Sequence, residues 1–317
     1  MRRTLITGGT GFVGTHLVRL LNAEGTQIAV LASGDEFPEP DRGVLFNRVD
    51  IRKADDVRAV VRDFRPTEIY HLAGVSSIAL SWQNPSLTFE VNVIGTYNLF
   101  EAGMGLATPP RILNVSTAQV YAPLASILTE SSLVGPSNTY AASKAMSELL
   151  SVQYSKAPSG GIVTARSFNH SGPGQRPDFV LSSIAKQFAE MREAPGEARL
   201  VVGNVDVIRD FTDVRDVVRG YAALVERARV GEVYNVCSGR GVRLADIVAK
   251  FEHLSGIAVK AETDAARFRP GEVSTVVGDP TKIRTETGWA PQIPLDKTIR
   301  DLLDYWRMKV HAERRAR

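Results

Sequence analysis

A tyrosine and a lysine four residues apart, Tyr140 and Lys144, form the pair in this sequence best suited to proton transfer. They begin a segment with helical periodicity that runs to about Tyr154, and residues four apart lie on one face of a helix. An ammonium group beside a phenol favours the phenolate, so we expect Lys144 to lower the pKa of Tyr140 from about 10 toward neutrality. A tyrosine with such a pKa can exchange a proton at neutral pH, which a general acid–base requires.

Thr117 stands at the end of an apolar segment, residues 111–115, that is typical of a buried strand. Its hydroxyl can hydrogen-bond the same substrate oxygen that Tyr140 serves. A tyrosine and a lysine at this spacing also occur by chance as a surface pair on an amphipathic helix. The strand-end pair Ser116-Thr117 and the glycine-rich start of the chain favour the catalytic interpretation, with Thr117, Tyr140 and Lys144 as the catalytic residues.

The start of the chain is the segment that would position a ligand beside these groups, because it reads as a strand, a glycine-rich turn and a helix. Gly8 and Gly11 leave the backbone open to a phosphate that a Cβ would obstruct. The helix that begins near Phe12 offers N–H groups and a positive dipole end to a pyrophosphate, and Gly14 lets this helix lie against the strand. The alternative is a tight turn without a ligand, but the flanking strand and helix favour a dinucleotide site.

Strands and helices alternate about six times after this turn, with short connections. This order predicts an α/β fold built on a Rossmann-type doubly wound parallel sheet. Ligands of such sheets bind beyond the carboxyl ends of the strands, which is where the polar clusters of the sequence fall. His71 lies inside one predicted strand, so we expect a hydrogen-bonded core histidine there rather than a catalytic base.

The composition excludes several classes of protein. The 317 residues carry a net charge of +3, which is too small to indicate a nucleic-acid partner. The single cysteine, Cys237, rules out an internal disulfide, and the five histidines have no metal-ligand spacing. No apolar run approaches the ~18–20 residues that span a bilayer, and no signal peptide precedes the first strand. We therefore expect a cytoplasmic protein with no metal and no membrane or nucleic-acid partner.

The end of the second predicted strand bears on the choice of cofactor. It reads Leu31-Ala32-Ser33-Gly34-Asp35, so the acidic residue that bonds the ribose of NAD in many dinucleotide folds is missing from the strand tip. No arginine that could accept a 2′-phosphate is near in the sequence. Because the carboxylate that repels a 2′-phosphate is absent, the sequence favours NADP(H) slightly over NAD(H).

Several motifs, spread over the whole chain, are shared with one known family. They are segment 7–14, segment 71–74, Asn92 with Gly95-Thr96, Thr117, and Tyr140 with Lys144. With these motifs the chain resembles the extended short-chain dehydrogenases/reductases of the nucleotide-sugar type, also called the NAD-dependent epimerase/dehydratase family.

The resemblance implies that a dinucleotide binds the amino-terminal sheet and that a nucleotide sugar binds a smaller carboxyl-terminal lobe. It implies that Tyr140 is the acid–base, that Lys144 holds the nicotinamide ribose and tunes Tyr140, and that Thr117 orients the substrate oxygen. The residues that it implies for cofactor binding are Gly8, Gly11, Phe12, Val13, Gly14, Asp50, Ile51, Leu72, Ala73, Gly74, Asn92, Tyr140 and Lys144.

The same resemblance guides the predicted domain organisation. We expect residues 1–167 and 204–238 to form the dinucleotide-binding domain, and residues 168–203 and 239–317 to form the nucleotide-sugar-binding lobe. Helices 85–102 and 140–156 are candidates for the two-fold interface of a homodimer.

Two segments of the second half, 166–175 and 209–217, narrow the resemblance to family members that act on GDP-mannose derivatives. Arginines in turns suit a diphosphate, which they bind through two parallel hydrogen bonds, and a glutamate can accept from ribose hydroxyls. The implied reaction is NAD(P)H-dependent reduction of the 4-keto group of GDP-4-keto-6-deoxy-mannose to GDP-rhamnose. The expected substrate contacts are Gln119, Asn169, Val180, Arg209, Arg269 and Glu272.

Gln119 separates the reaction types. Related 4,6-dehydratases have at this position a glutamate that serves as base and acid, and a neutral amide cannot take a proton from carbon. Simple reduction does not need that base. A nucleotide-sugar 4-epimerase, a reductase giving the C4 epimer GDP-6-deoxy-talose, a 4,6-dehydratase and a non-catalytic dinucleotide sensor stay as alternatives. The chain also has Ala122 where most relatives have glycine, which puts the shape of that loop in doubt.

Overall fold

The computed structural model describes residues 2–34, 43–123, 127–155, 161–193, 196–264 and 273–315, and every structural statement below refers to these residues. The strands are β1 (Arg3–Thr7), β2 (Gln27–Ala32), β3 (Val44–Arg48), β4 (Glu68–His71), β5 (Arg111–Thr117), β6 (Ile127–Leu128), β7 (Ile162–Ser167), β8 (Asn169–Ser171), β9 (Arg199–Val202), β10 (Ile208–Asp213), β11 (Val233–Val236), β12 (Gly241–Arg243), β13 (Lys260–Thr263) and β14 (Thr275–Gly278).

The α-helices are α1 (Phe12–Ala23), α2 (Ala54–Phe64), α3 (Ile78–Gln83), α4 (Pro85–Phe89), α5 (Gly95–Met104), α6 (Thr139–Ser155), α7 (Val180–Glu193), α8 (Val214–Arg227), α9 (Leu244–Ser255), α10 (Thr281–Thr287) and α11 (Leu295–Arg315). A π-helical turn, Glu90–Ile94, joins α4 to α5, so the predicted helix 85–102 is nearly continuous. A 3₁₀ turn, Ala118–Val120, follows β5. None of the described helices is long and apolar enough to cross a membrane.

The larger sheet confirms the predicted doubly wound fold. Its strands run parallel in the order β11-β7-β5-β4-β1-β2-β3. The chain moves outward from β1 to β3 and then returns to β4 on the other side of β1. The crevice where ligands bind in such sheets therefore lies beyond the carboxyl ends of β1 and β4.

Helices cover both faces of the larger sheet, as a parallel sheet requires. Neighbouring strand residues point to opposite faces, so Leu5 and Ile6 of β1 belong to different core clusters. Helices α1 and α8 pack against the face that holds Ile6, whereas α2 and α5 pack against the face that holds Leu5. The two helical layers thereby hold β1 and its glycine-rich turn rigidly in the centre of the sheet.

The smaller lobe contains two sheets and a helical core. One sheet has the order β12-β10-β14-β6, with β8 paired to β10, and β13 pairs with β9. Helices α7, α9 and α11 form the core, in which the rings of Phe188 and Phe251 stack 5.7 Å apart and Trp306 is buried.

Some elements pack in a different lobe from the one that the sequence predicts. Of the predicted return segment 204–238, α8 and β11 pack with the larger sheet. Strand β10 instead lies in the smaller lobe, because Phe211 packs into that core. Conversely, α10 contributes Ile283 to the core of the larger sheet, and β6, from the predicted dinucleotide domain, pairs with β14.

Candidate active site

The glycine-rich turn after β1 has the geometry that a phosphate site requires. Gly8 has a φ of +69°, and a Cβ there would lie 2.8 Å from the backbone nitrogen of Ala73. A Cβ at Gly14 would lie 2.6 Å from Cα of Gly9, so Gly14 allows α1 to approach the turn. Gly11 caps α1 without a side-chain hydrogen bond, and the first turn holds no acidic residue. These features suit a bound anion at the start of α1.

Phe12 and Val13, two of the predicted cofactor residues, use their side chains inside the protein. The Phe12 ring stacks on the ring of His170 at 6.1 Å, and Val13 packs against the core beneath α1. His16 adds a hydrogen bond of 2.9 Å between its Nε2 and the carbonyl oxygen of Pro173. The Phe12 ring and the His16 side chain therefore join the start of α1 to β8 and to the segment after it.

The interpretation of His71 as a core histidine is confirmed. The ring is buried, with Nδ1 2.8 Å from the Thr7 hydroxyl and Nε2 2.8 Å from the Thr96 hydroxyl. Thr96 donates its own proton to the carbonyl oxygen of Asn92, so Nε2 must donate to Thr96 and Nδ1 must accept from Thr7. Burial lowers the pKa of His71 to about 3, and the charge of Lys144 acts in the same direction.

The segment after β4 holds Leu72, Ala73 and Gly74 against the glycine-rich turn. The nitrogen of Leu72 donates to the carbonyl oxygen of Thr7, and the nitrogen of Ala73 donates to the Thr7 hydroxyl at 3.2 Å. Gly74 is exposed, and a Cβ there would lie 2.9 Å from Oδ1 of Asn92. The predicted cofactor residues of β1 and β4 are thus neighbours at one edge of the sheet.

Asn92 lies behind this edge rather than on it. Its side chain is 1% exposed, accepts from the nitrogen of Val75 at 2.8 Å and donates to the Val75 carbonyl at 3.0 Å. It also donates to the hydroxyl of Ser143 at 2.9 Å. Every hydrogen bond of this amide is therefore made inside the protein, which gives Asn92 a positioning role in place of the predicted direct contact.

Asp50 and Ile51 follow β3 at the same edge. Asp50 forms an ion pair of 2.7 Å with Arg52, and hydrogen bonds from Arg52 lower the pKa of Asp50. The side chain of Ile51 is buried against α5, where a Cβ at Gly95 would lie 2.6 Å from its Cγ2. Only the backbone of Ile51 is left for the contact that the sequence predicts.

No arginine is near the end of β2 in the sequence, but the fold brings one there. Strand pairing puts Arg48 opposite Ala32, the last residue of β2. The two residues are distant in sequence, and only the parallel register of β2 and β3 makes them neighbours. Asp35 lies outside the described residues.

Thr117, Tyr140 and Lys144 are brought together as predicted. Thr117 is the last residue of β5, and its side chain hydrogen-bonds that of Tyr140, in the first turn of α6. Asn138 supports this turn by accepting from the nitrogen of Ala141 at 2.9 Å. Lys144 is buried, with Nζ 3.9 Å from the place that a Cβ would take at Gly74. The pair therefore faces the edge of the sheet that holds the glycine-rich turn.

The expected acidic shift of Tyr140 is wrong. Burial raises the pKa of Tyr140, and the hydrogen bond with Thr117 opposes this only in part. Burial also lowers the pKa of Lys144 to about 8, against the charge of Glu148. The free-energy cost of removing the phenolate from water is larger than the stabilisation that its neighbours provide. At neutral pH the phenol therefore keeps its proton, and Lys144 is mainly an ammonium ion.

The described members of the predicted substrate set lie in four different elements. Gln119 lies in the 3₁₀ turn, and its nitrogen donates to the Thr117 hydroxyl at 3.2 Å. Asn169 is the first residue of β8, and Val180 is the first residue of α7 and is 40% exposed. Arg209 of β10 donates to the carbonyl oxygen of Ile208 at 2.9 Å. Arg269 and Glu272 lie outside the described residues.

The acidic residues of segment 209–217 tie the lobes together. Asp210 accepts from the nitrogens of Ser238, Gly239 and Gly278, while Asp213 caps α8. Asp216 accepts from two backbone nitrogens, at residues 292 and 293. The contact of Arg209 with the substrate stays a prediction.

Ala122, which stands where most relatives have glycine, fits its loop. A Cβ at Gly135 would lie 3.0 Å from Cβ of Ala122, so a glycine is present on the facing side of the loop instead. The nitrogen of Ala122 donates to the carbonyl of Leu133, and the nitrogen of Gly135 donates to that of Val120. These bonds hold the loop beside the 3₁₀ turn.

One buried carboxylate next to the site escaped the sequence analysis. Glu148 of α6 receives two charged hydrogen bonds from Arg166, through Nη2 at 2.7 Å and Nε at 3.0 Å, and one from the Ser116 hydroxyl. In the sequence, the spacing of four residues between Lys144 and Glu148 is the feature that identifies Glu148. Among the described residues, no cluster of three or more His, Cys, Asp or Glu side chains could hold a metal ion.

Comparison with known proteins gives one family and several full-length relatives. The family model described as GDP-mannose 4,6 dehydratase matches residues 5–302. The GDP-6-deoxy-D-mannose reductase of Pseudomonas aeruginosa is 33% identical over 315 residues, covering 98% of this chain and 99% of the relative.

Two solved structures illustrate the range of the relatives. RMD from Pseudomonas aeruginosa, complexed with NADPH, has 30% identity and a TM-score of 0.85, over 97% of this chain and 100% of that chain. The UDP-glucose 4-epimerase of Thermus thermophilus, in complex with NAD, has 30% identity and a TM-score of 0.85, over 96% and 99%.

Proposed function

The chain belongs to the GDP-mannose 4,6-dehydratase family of extended short-chain dehydrogenases/reductases, and from this premise we propose that it is a reductase. In this proposal it uses NADPH to reduce the 4-keto group of GDP-4-keto-6-deoxy-mannose to GDP-rhamnose. The observation that carries the reaction type is Gln119, a neutral amide in the turn that holds Thr117. The name of the P. aeruginosa reductase supports the substrate.

The catalytic work of the chain's own residues is positioning and proton transfer. Thr117 and Tyr140 are hydrogen-bonded to each other, so both hydroxyls can be directed at one carbonyl oxygen. The hydride for the carbonyl carbon would come from NADPH when it is bound. Tyr140 gives its proton to the oxygen as negative charge develops there, and the raised pKa ensures that the proton is present.

Lys144 fits a contact with the cofactor ribose. Its ammonium lies at Gly74, next to the turn that would hold the pyrophosphate. Gly8, Gly11 and the uncapped start of α1 fit the pyrophosphate itself. The described residues therefore fit a nicotinamide dinucleotide that lies across the ends of β1 and β4.

In the part of the site that the structure describes, dehydration lacks a base at position 119. Elimination of water needs a group that takes a proton from carbon, and the amide of Gln119 cannot do so. Tyr140 is the titratable group that hydrogen-bonds Thr117, and burial keeps it protonated. The arrangement therefore suits reduction better than 4,6-dehydration.

NADPH is our proposed cofactor. The described end of β2, through Gly34, has no carboxylate to repel a 2′-phosphate, and Arg48 stands opposite Ala32. The NADPH complex of RMD supports this choice. The NAD complex of the T. thermophilus epimerase is the reason to test both cofactors.

A product assay tests the proposed function. Purified protein is incubated with GDP-4-keto-6-deoxy-mannose and NADPH or NADH, and the products are identified by NMR. We expect oxidation of NADPH and a product with the rhamno configuration at C4. The talo configuration would assign the other reductase activity, and formation of the keto sugar from GDP-mannose would assign a dehydratase. No turnover of any of these compounds would indicate a dinucleotide sensor.

A 4-epimerase is the second candidate, favoured by the similarity to the T. thermophilus epimerase. An epimerase returns its hydride to the substrate, so it retains NAD and needs none added. Stoichiometric NAD in the purified protein, with interconversion of C4 epimers and no net oxidation of NADPH, would support the epimerase activity and contradict the proposed reductase activity.

We also propose a homodimer built on α5 and α6. Exposed apolar side chains are present on both helices, and they are Tyr97 on α5 and Met146, Leu149 and Val152 on α6. Residues 146, 149 and 152 recur every three positions, so they share one face of the helix. A stripe of this kind is typical of a protein–protein contact. The cytoplasmic location expected from the sequence stays a prediction.

A further inference from the structure

Glu148 is a buried charged group that the proposed reaction does not use. Tyr140, Lys144 and Glu148 follow one another at intervals of four residues on α6, so their side chains lie along one face. Helical side chains lean toward the start of the helix, which directs Glu148 toward Lys144. Lys144 and Glu148 are each 7% exposed, so little water separates their charges.

Hydrogen bonds from two side chains hold the carboxylate of Glu148 in one place. Arg166 of β7 donates through Nη2 at 2.7 Å and Nε at 3.0 Å, and the hydroxyl of Ser116 also donates to Oε1. Burial acts to lower the pKa of Arg166, but its bonds to Glu148 outweigh this and the net shift is upward. The ion pair with Arg166 of β7 therefore fixes the position of the Glu148 carboxylate.

Few titratable groups face Lys144 from the elements around it. On α6 they are Tyr140 and Glu148, and on β4 the group is His71. Tyr140 and His71 are both uncharged at neutral pH. Arg166 of β7 is paired with Glu148. Of these groups, Glu148 is the one whose negative charge acts on the ammonium of Lys144.

Burial alone would favour the neutral amine of Lys144, which could not hold a ribose hydroxyl as a charged donor. We propose that Glu148 is a positioning residue whose carboxylate keeps Lys144 protonated at neutral pH in spite of its burial. The use of this charge to hold the cofactor ribose rests on the role of Lys144 in the proposed function. The charge coupling itself rests on the spacing of Lys144 and Glu148 on one face of α6 and on the burial of both side chains.

The test measures the protonation of Lys144 without cofactor or turnover. A small amine-labelling reagent reacts with the neutral amine, and mass spectrometry quantifies the label on Lys144 across a range of pH. For the unmodified protein we expect a midpoint at the pKa of about 8. For Glu148→Gln we expect a midpoint about one pH unit lower, equivalent to about fivefold more labelling at pH 7.

Two control variants separate the charge of Glu148 from other effects. Glu148→Asp keeps the charge and should return the midpoint to that of the unmodified protein. Glu101→Gln neutralises a carboxylate of α5 that accepts from the Tyr154 hydroxyl at the other end of α6. This change should leave the midpoint of Lys144 where it was.

Loss of structure would move the midpoint in the opposite direction, because an exposed lysine titrates near pH ~10.4. Since removal of one partner of a buried ion pair is destabilising, Glu148→Gln is also combined with Arg166→Gln, which leaves two neutral partners. The double variant should again lower the midpoint. An unchanged midpoint in both variants, or a rise toward the exposed value, would overturn the proposal. Because no sugar is used, a failed reductase assay would not affect this result.

Discussion

The side-chain amide of Asn92 donates a 2.9 Å hydrogen bond to the hydroxyl of Ser143, the residue before Lys144. The same amide holds the backbone of Val75 through its two other bonds. One buried side chain thus sets the distance between the catalytic helix α6 and the segment after β4.

Asn92→Ala should weaken cofactor binding and lower kcat, because the segment after β4 loses its connection to α6. We expect the free energy of unfolding to fall by about 1–3 kcal/mol, since the Val75 backbone groups lose their buried partners. Fluorescence titration with NADPH and denaturant unfolding measure the two effects. Gln187→Ala removes a comparable amide bridge to Val201 in the smaller lobe and should lower stability without changing cofactor affinity.

Tyr140→Phe should reduce kcat by about 100- to 10,000-fold while the Kd for NADPH stays near that of the unmodified protein. The change removes one hydroxyl and keeps the ring. Steady-state kinetics and cofactor titration provide the measurement. Tyr70→Phe, which removes another buried hydroxyl bonded to Arg2, should retain turnover. A parallel loss of turnover and cofactor affinity in Tyr140→Phe would mean that the residue is structural.

Gln119→Glu should not by itself create a dehydratase. A carboxylate at this position would supply a base, but elimination also requires the sugar to place its proton against that base. NMR of GDP-mannose incubated with the variant and NAD(P) should show no keto sugar. Keto-sugar formation by the unmodified protein would contradict our interpretation of Gln119.

Cofactor affinity should depend on pH through Lys144. The ammonium form is present below its pKa of about 8 and is lost as the pH rises through this value. We therefore expect the Kd for NADPH to be lowest near neutral pH and to increase at higher pH. Lys144→Gln should bind more weakly and should lose this pH dependence. An equal Kd for the unmodified protein from pH 7 to pH 10 would argue against a charged contact.

Leu149→Glu should convert the proposed dimer to a monomer, because it places a charge in the middle of the apolar stripe on α6. Analytical ultracentrifugation over a range of concentrations measures the change. Met308→Glu is the matched control, since Met308 of α11 is 69% exposed and Leu149 is 70% exposed. If both variants sediment as the unmodified protein does, the interface lies elsewhere.

The sequence was sufficient wherever a feature depends on neighbours along the chain. The glycine-rich turn needs residues without a Cβ at fixed positions, and Gly8 has the positive φ that this implies. Tyr140 and Lys144 share a helix face because four residues make about one turn. The doubly wound sheet follows from the alternation of strands and helices, which the order of the larger sheet confirms.

Domain exchange and loop shape were harder to predict from sequence. Strand β10 belongs to the smaller lobe because Phe211 packs into that core, although α8, which follows β10 directly, packs against the larger sheet. Ala122 is accommodated by Gly135, thirteen positions away in sequence, and no local pattern indicates that the two are paired.

The amino-acid sequence by itself determined the chemistry that is available, namely a phosphate-binding turn and a phenol, a hydroxyl and an amine near it. The tertiary structure decided the protonation states of these groups. Burial keeps the proton on Tyr140, reversing the expected direction of its pKa shift, and it lowers the pKa of Lys144 against the charge of Glu148. The tertiary structure also placed Arg48 beside the end of β2. The physical reason is that desolvation and strand register depend on residues far apart in the chain, which spacing alone does not encode.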